Sequence, residues 1–504
     1  MQDVLVIGGG IAGLVAARSC ARLGLSVTVI EAADAVGGPV AGHDVAGLRL
    51  DSGAESFAVR GGTVAAFVEE LGLTAEIVAP NPAGAWLHLP ALKAGQNPVS
   101  VPLPQAGVLG IPGSPLADDV RSVIGWGGAL RAYLDRLMPV LTIGREHSLG
   151  DLVAKRMGRR VLERLVEPVA SGVYTTSSRD LEVDVVAPGL NRALTTTGSL
   201  SGAVLALRSG APAGSAVGGL RGGMSSLPDA LVADLTHFGA VIETGRAATQ
   251  LTRTEATDGS EPAWAVTLAP PVAESAANET EETGDIETHV TDAGEALRTA
   301  RFVILATQGK QALRLLAPLG DAQDALSELD WPAPTAVTLA TLVLDAPELD
   351  AHPRGTGVLV AAEATDVTAK ALTHVTAKWS WVAAAAGAGQ HVVRLSYGRA
   401  GHPNPADELT DEDLETLALR DASILLGVSL SAGMVRGFAR TEWRDAISPA
   451  TIGAPERASS VREALADTPG LEVTGAWLAG TGLASVIPDA LAAAARIRQA
   501  SLGL

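Results

Sequence analysis

The chain has 504 residues, 47% of them apolar and 18% charged, with a formal net charge of −19. That length calls for two or three domains with sizeable cores, and so acidic a balance argues against a nucleic-acid backbone as the main partner. The single cysteine, Cys20, rules out an intrachain disulfide and argues against a cysteine-based metal site; its apolar helical surroundings fit a buried small side chain.

Met1 is followed by Gln2, Asp3 and then directly by a strand pattern, without the basic region of a secretory leader. No apolar run reaches the length of a membrane span. A cytoplasmic location is expected, with room for peripheral membrane contact through an amphipathic face.

Val4 to Ile7 is a continuous apolar run, as a central parallel strand requires. It enters Gly8-Gly9-Gly10-Ile11-Ala12-Gly13, in which Gly8, Gly10 and Gly13 have the spacing of a dinucleotide turn. The first glycine permits the turn, the second admits a pyrophosphate, and the third lets helix and strand pack closely. A helix from about Ala12 to Leu23 offers its first amides to phosphate, and Gly24 ends it. Val27 to Ile30 forms the second strand, and Glu31 ends it, placed to bind a ribose and disfavour NADP. The glycine pair Gly37-Gly38 then resembles the signature of FAD-dependent amine oxidases, which moves the expected cofactor from a nicotinamide dinucleotide to FAD. Position 39 is Pro, where such proteins commonly carry Arg or Lys.

Thr63 to Leu71 reads as a helix, residues 89–120 as a Pro- and Gly-rich passage, and 120–210 as a mainly helical insertion. Ser148 is a plausible helix start, and Ser225 or Ser226 can cap a helix from Leu227 to Phe238. Ala240 to Ile242, Trp264 to Leu268 and Phe302 to Thr307 read as strands. The polar, acidic stretch 271–298 reads as a solvated excursion between strands. Strand patterns recur at 337–344, 357–361 and 391–396. Near the end, Leu471 to Gly475 leads through a glycine-rich loop into an alanine-rich helix. That strand, loop and helix suggest a second cofactor contact from the far end of the chain.

Several of these stretches together resemble the protoporphyrinogen/coproporphyrinogen oxidase family, over nearly the full length. They are Asp51 to Phe57, Glu146 to Asp151, Gly222 to Met224, Thr373 to Trp379 and, most specifically, Glu167-Pro168-Val169-Ala170-Ser171-Gly172-Val173-Tyr174. The likeness is to bacterial, actinobacterial-type coproporphyrin-forming enzymes. It implies an α/β fold with added helices: a Rossmann-like FAD domain from 1–57, 215–310 and 432–504, a mixed-sheet substrate domain from 58–88 and 311–431, and a helical domain from 89–214. Cofactor contacts are implied at Gly8, Gly10, Ile11, Ala12, Gly13, Glu31, Ala32, Gly38, Gly53, Ala54, Glu55, Ala248, Ala306, Gly475, Trp477, Val486, Ile487 and Pro488.

The activity implied is an FAD-dependent oxidation of coproporphyrinogen III to coproporphyrin III for haem synthesis. It would run in three two-electron steps, with molecular oxygen reduced to hydrogen peroxide and the product passed to a coproporphyrin ferrochelatase. Four propionates call for basic residues at the rim of an apolar slot. The candidates are Arg60, Lys378 beside Trp379 and Trp381, and Arg179. His374 reads as a packed or surface histidine rather than a base. No catalytic base and no metal site are assigned. Protoporphyrinogen IX as substrate, an amine oxidase or carotenoid desaturase relative, and a non-catalytic flavin- or tetrapyrrole-binding scaffold are the rival readings.

Overall fold

The computed structural model describes residues 2–92, 95–105, 107–139, 145–209, 217–254, 263–270, 296–319, 326, 329–333, 335–444 and 450–503. Its first sheet centres on Gln2–Ile7, which runs parallel to Val27–Ile30 on one side and to Ala296–Leu305 on the other. Val241–Glu243 extends the sheet beyond Val27–Ile30. Ala263–Leu268 and Ala248–Thr254 continue it as an antiparallel hairpin, and Leu471–Val473 pairs in parallel with Val303–Leu305.

From Val4 to Ile7 the first strand is apolar and buried because both faces are covered. Val4 and Val6 pack with Ile11–Ala21, Ser226–His237 and the C-terminal helix Leu483–Ser501. Leu5 and Ile7 face a second core that holds Gly309–Leu316 and Trp477. Small side chains, Ala16, Ala17, Ala490 and Ala494, share the first core, so the alanine bias of the sequence here serves close helix packing. Cys20 is fully buried among them, and burial pushes its thiol up to about 12.

The second sheet runs in the order Val435–Trp443, Val337–Asp345, Gln390–Tyr397, Ala371–His374, Gly357–Val360, Trp86–Leu89, Val99–Pro102. One face buries Ala340, Leu342 and Leu344 against Asp411–Leu426. That helix is capped by Thr410, whose side chain accepts the Asp413 N–H, and it ends on Gly427 at φ 68°. The other face carries Val343 and Val392, which share a core with Trp379 and the hairpin Gly42–Val45/Leu48–Asp51. This hairpin leaves the first sheet and closes on the second.

Helices Asp118–Tyr133, Leu149–Met157, Glu167–Tyr174, Leu190–Thr197 and Leu200–Ser209 form the third body, around Ile124, Leu152, Leu165, Leu190 and Val204. Ser148 caps its helix as expected, accepting the Asp151 N–H at 3.1 Å. The buried pair Arg156–Asp135, 2.6 Å apart, ties three segments together. Arg156 also donates to the carbonyls of Asp135, Met138 and Gly198, and Asp135 accepts the Ser201 N–H. Trp126, Leu130, Leu134 and Leu137 face outward from the same body. Among the described residues, no helix is long and apolar enough to cross a membrane.

Three expectations change. Val435–Trp443 is hydrogen-bonded into the second sheet, so 432–504 does not belong to the first domain as a whole. Thr63–Glu70 and Gly309–Leu316 pack into the cores of the first sheet, not with the second. Ser225 precedes Ser226–His237 without a side-chain cap; its N–H donates instead to Asp51. Most of the acidic stretch 271–298 lies outside the described residues, and Ala296 to Arg298 already belong to a strand.

The Asp135 carboxylate is the sole carboxylate partner found for buried Arg156 among the described residues. Asp135→Ala is expected to cost about 3–5 kcal/mol, because it strands a buried guanidinium. Urea unfolding followed by circular dichroism checks this, and a loss below about 1 kcal/mol would contradict it.

Candidate functional site

The glycine turn is built by close approach. Gly8 has φ 109°, and a Cβ there would stand 2.6 Å from the Ala306 carbonyl oxygen; one on Gly13 would stand 1.9 Å from that of Gly8. A Cβ on Gly10 would meet nothing within 4 Å. Gly10 caps Ile11–Ala21 without a side-chain bond, so the first amides of the helix are left for an anion. Glu31 is held by two backbone donors, with Oε2 accepting the Gly9 N–H at 2.6 Å and Oε1 the Ala33 N–H at 2.8 Å. Its remaining lone pairs suit ribose hydroxyls.

This turn opens into one continuous cavity of about 1590 Å³. Ligand pockets commonly span about 300–1,000 Å³, so this one has room for a dinucleotide and a large second molecule. Gly8, Gly10, Ile11, Ala12, Glu31, Ala32, Gly38, Gly53, Ala54, Glu55, Ala248, Ala306, Gly475, Trp477 and Val486 line it. The residues present therefore fit FAD: an open Gly10, a helix N-terminus, an oriented Glu31 and a wall drawn from both ends of the chain.

Three expected cofactor residues are placed elsewhere. Gly13 packs under the turn, Ile487 is fully buried in the core, and Pro488 is exposed within Leu483–Ser501. The C-terminal contact is carried instead by Thr481, Gly482 and Leu483 with Val486. Asp489 fixes the preceding turn by accepting the Thr474 hydroxyl at 2.7 Å.

Where the cavity passes under the second sheet, Glu55 forms ion pairs with Lys378 at 2.6 Å and Arg394 at 2.9 Å. Burial works against the Glu55 carboxylate, but Lys378 and Arg394 outweigh it and hold its pKa below the ordinary value. Arg394 also donates to the carbonyls of Asp51 and Gly53. Burial raises Asp51 to about 6 against the opposing pull of Arg394, and Glu55 adds to the rise.

Lys378 is thus committed to Glu55 and does not line the cavity, contrary to its expected place at the substrate rim. Arg179 is also away from the cavity, paired with Asp151 on the outside of the helical body. Arg60 opens the backbone turn Arg60–Gly62 that leads into Thr63–Glu70.

Among the basic groups that do face the cavity is Lys370, which sequence reading passed over. It is 2% exposed, and its Nζ donates to the Thr175 hydroxyl at 2.6 Å. Burial, with Arg399 adding to it, brings its pKa down to about 7. A lysine between Ala369 and Ala371 at the head of a buried strand was the available signal. Thr175 has φ 62° and ends Glu167–Tyr174, so the family-like stretch delivers Gly172, Val173 and Thr175 to the cavity wall. Arg399 fixes that helix by donating to Ser171, and Glu167 accepts the Ser178 N–H beyond its end.

His374 is fully buried, and burial followed by its imidazole neighbours lowers its pKa to about 3, which fits no role as a base at the cavity. The structure does gather His352, His374 and His391, a grouping with no sequence spacing to announce it.

The cavity is basic inside an acidic protein. Among the described residues its wall carries Arg246, Lys310, Arg314, Lys370 and Arg394 against Glu31 and Glu55.

The pattern of the flavin containing amine oxidoreductase family matches residues 11–498. A Bacillus subtilis protein named coproporphyrinogen III oxidase is 26% identical over 98% of this chain and 97% of its own length. A Mycobacterium leprae protein of the same name is 29% identical over 99% and 98%. The backbone superposes on an Exiguobacterium sp. 255-15 protein assigned as a protoporphyrinogen oxidase, with TM-score 0.78 and 23% identity over 100% and 99% of the two chains. It also superposes on cyclohexylamine oxidase from Brevibacterium oxydans, with TM-score 0.62 and 14% identity over 99% of each.

Gly10→Ala adds a methyl group that meets only the open cavity. It is expected to leave the circular dichroism spectrum unchanged and to weaken flavin retention by at least about tenfold, ~1.4 kcal/mol. Flavin absorbance per chain after gel filtration measures this; full flavin content would move the phosphates away from this turn.

Proposed function

The chain belongs to the flavin-containing amine oxidoreductase family, with FAD as its cofactor, and on that premise we propose that it oxidises coproporphyrinogen III to coproporphyrin III. The observation that carries this reading is a cavity larger than a dinucleotide needs, on whose described wall basic side chains outnumber acidic ones, with Arg246, Lys310 and Arg314 in addition to the paired Arg394 and the buried Lys370. An apolar macrocycle with four propionates suits such a wall better than a neutral amine substrate does. The names carried by relatives over nearly the whole length point the same way.

The balanced reaction removes six hydrogens from the macrocycle, and three molecules of oxygen become three of hydrogen peroxide. FAD supplies the two-electron acceptor chemistry. The protein supplies the rest. Gly172, Val173 and Thr175 close the cavity from the helical body and restrict water, while Val337, Leu339 and Trp331 offer apolar surface to the ring. Lys370, neutral above about pH 7, accepts the proton released from a pyrrole nitrogen. Thr175 aims its Nζ. The product, a metal-free porphyrin, suits a ferrochelatase as its next consumer, and we place the enzyme in the cytoplasm.

Below about pH 7 the Lys370 ammonium has no lone pair to offer, so turnover is expected to rise with pH through that point. Lys370→Met should keep its flavin, lose about 10²–10⁴-fold in turnover and lose that pH step. Oxygen uptake with coproporphyrinogen III across pH 5.5–9 reads both. An unaltered pH profile in the variant would remove Lys370 from the proton transfer, and no turnover by the flavin-loaded wild type would remove the proposed reaction.

A further inference from the structure

The strand Ala371–His374 has two faces. Ala371 and Thr373 look into the cavity, whereas Leu372 packs into the opposite core and His374 follows on that same side. There His374 meets His391, from the start of Gln390–Tyr397, and His352, from the loop after Pro347–Leu349. One ring nitrogen from each histidine lies within 4.8 Å of those of the others. His374 Nε2 and His391 Nδ1 are 3.0 Å apart, and the ring centroids are separated by 5.1, 5.4 and 6.1 Å. Zinc–imidazole bonds of about 2.0–2.1 Å place ligand nitrogens roughly 3.3–3.4 Å apart in a tetrahedron, so small ring rotations bring the three into range.

Two further observations point to a ligand. His391 Nε2 lies 2.9 Å from Asp350 Oδ1. A carboxylate there accepts the hydrogen bond of the Nε2–H and leaves the Nδ1 lone pair facing inward, the arrangement that orients metal-bound imidazoles. His352 Nδ1 is buried with no hydrogen-bond partner among the described residues. Hydrogen bonds within the cluster therefore leave it unsatisfied. His352 itself is held at φ 46°, a conformation uncommon for a side-chain-bearing residue, by the Leu349 carbonyl behind it and the Gly355 N–H ahead.

We propose that His352, His374 and His391, with Asp350 behind His391, bind a divalent transition-metal ion of the zinc class. Neutral imidazoles favour such an ion over calcium or magnesium, which take oxygen ligands. Water completes the shell on the side of the half-buried His352. The ion clips the loop between Val337–Asp345 and Gly357–Val360 to the strands behind Lys370 and Thr373. It takes no part in the oxidation.

The test uses the full-length flavoprotein, stripped with a chelator, incubated with Zn²⁺ alone and gel filtered. Elemental analysis is expected to find about one zinc per chain, with a higher melting temperature than in the stripped protein. Asp350→Asn should weaken zinc binding about 10–100-fold. His352→Gln lies on the loop, so it should keep its flavin spectrum and oxygen uptake while losing the zinc. Wild-type protein that retains no more zinc than flavin-loaded His352→Gln would overturn the proposal. So would zinc binding that is equally tight in Asp350→Asn and the wild type.

Discussion

Glu55 is the point on which the two halves of the molecule depend. Its carboxylate is gripped by Lys378, from the short helix that follows Ala371–His374, and by Arg394, from the strand Gln390–Tyr397 of the second sheet. In a buried setting these charges hold one another ionised, and loss of one partner would leave the others uncompensated. Arg394 extends the grip to the carbonyls of Asp51 and Gly53, and Trp443 donates to that of Ser52. The cavity wall at Gly53 to Ser56 is therefore set by the second sheet as much as by the segment it belongs to. In the proposed reaction a flavin laid against this wall and a substrate laid against Lys370 would share one frame of reference, which is what positioning of two reactants requires.

That frame also explains the split chain. The first strand supplies the phosphate turn, Ala296–Leu305 returns to pack Ala306 against Gly8, and Leu471–Val473 brings Gly475 and the last helix to the same edge. Each return closes one side of the cavity. The helical body adds a roof through Thr175, which is bonded to Lys370 below. Burial lowers Lys370 to about 7 inside a wall that is otherwise basic, and the proposed reaction uses it as the proton acceptor.

Much of this was legible in the sequence, for physical reasons. The strand–glycine–helix–strand–Glu31 unit is specified locally, because each residue's role follows from its spacing, and the elements at Val27–Ile30 and Ile11–Ala21 match it closely. Gly13 was read as a cofactor contact, but the same close approach that demands glycine there keeps it off the cavity surface. Charged groups were harder. Lys378 and Arg179 have the composition of substrate anchors, yet whether a cation is free depends on Glu55 and Asp151, far away or one helix over. Lys370 was hidden for the opposite reason: its single hydroxyl partner comes from 195 positions away. The histidines at 352, 374 and 391 meet only because two strands and a loop converge, and no linear spacing records that.

Anaerobic stopped-flow mixing tests the central claim, that flavin and a tetra-anionic porphyrinogen share this cavity. The flavin-loaded protein is mixed with coproporphyrinogen III and, separately, with protoporphyrinogen IX, and the flavin band is followed. The account predicts rapid bleaching by coproporphyrinogen III, recovery on admitting oxygen, and a slower or weaker response to protoporphyrinogen IX. A flavin left oxidised by both would contradict it.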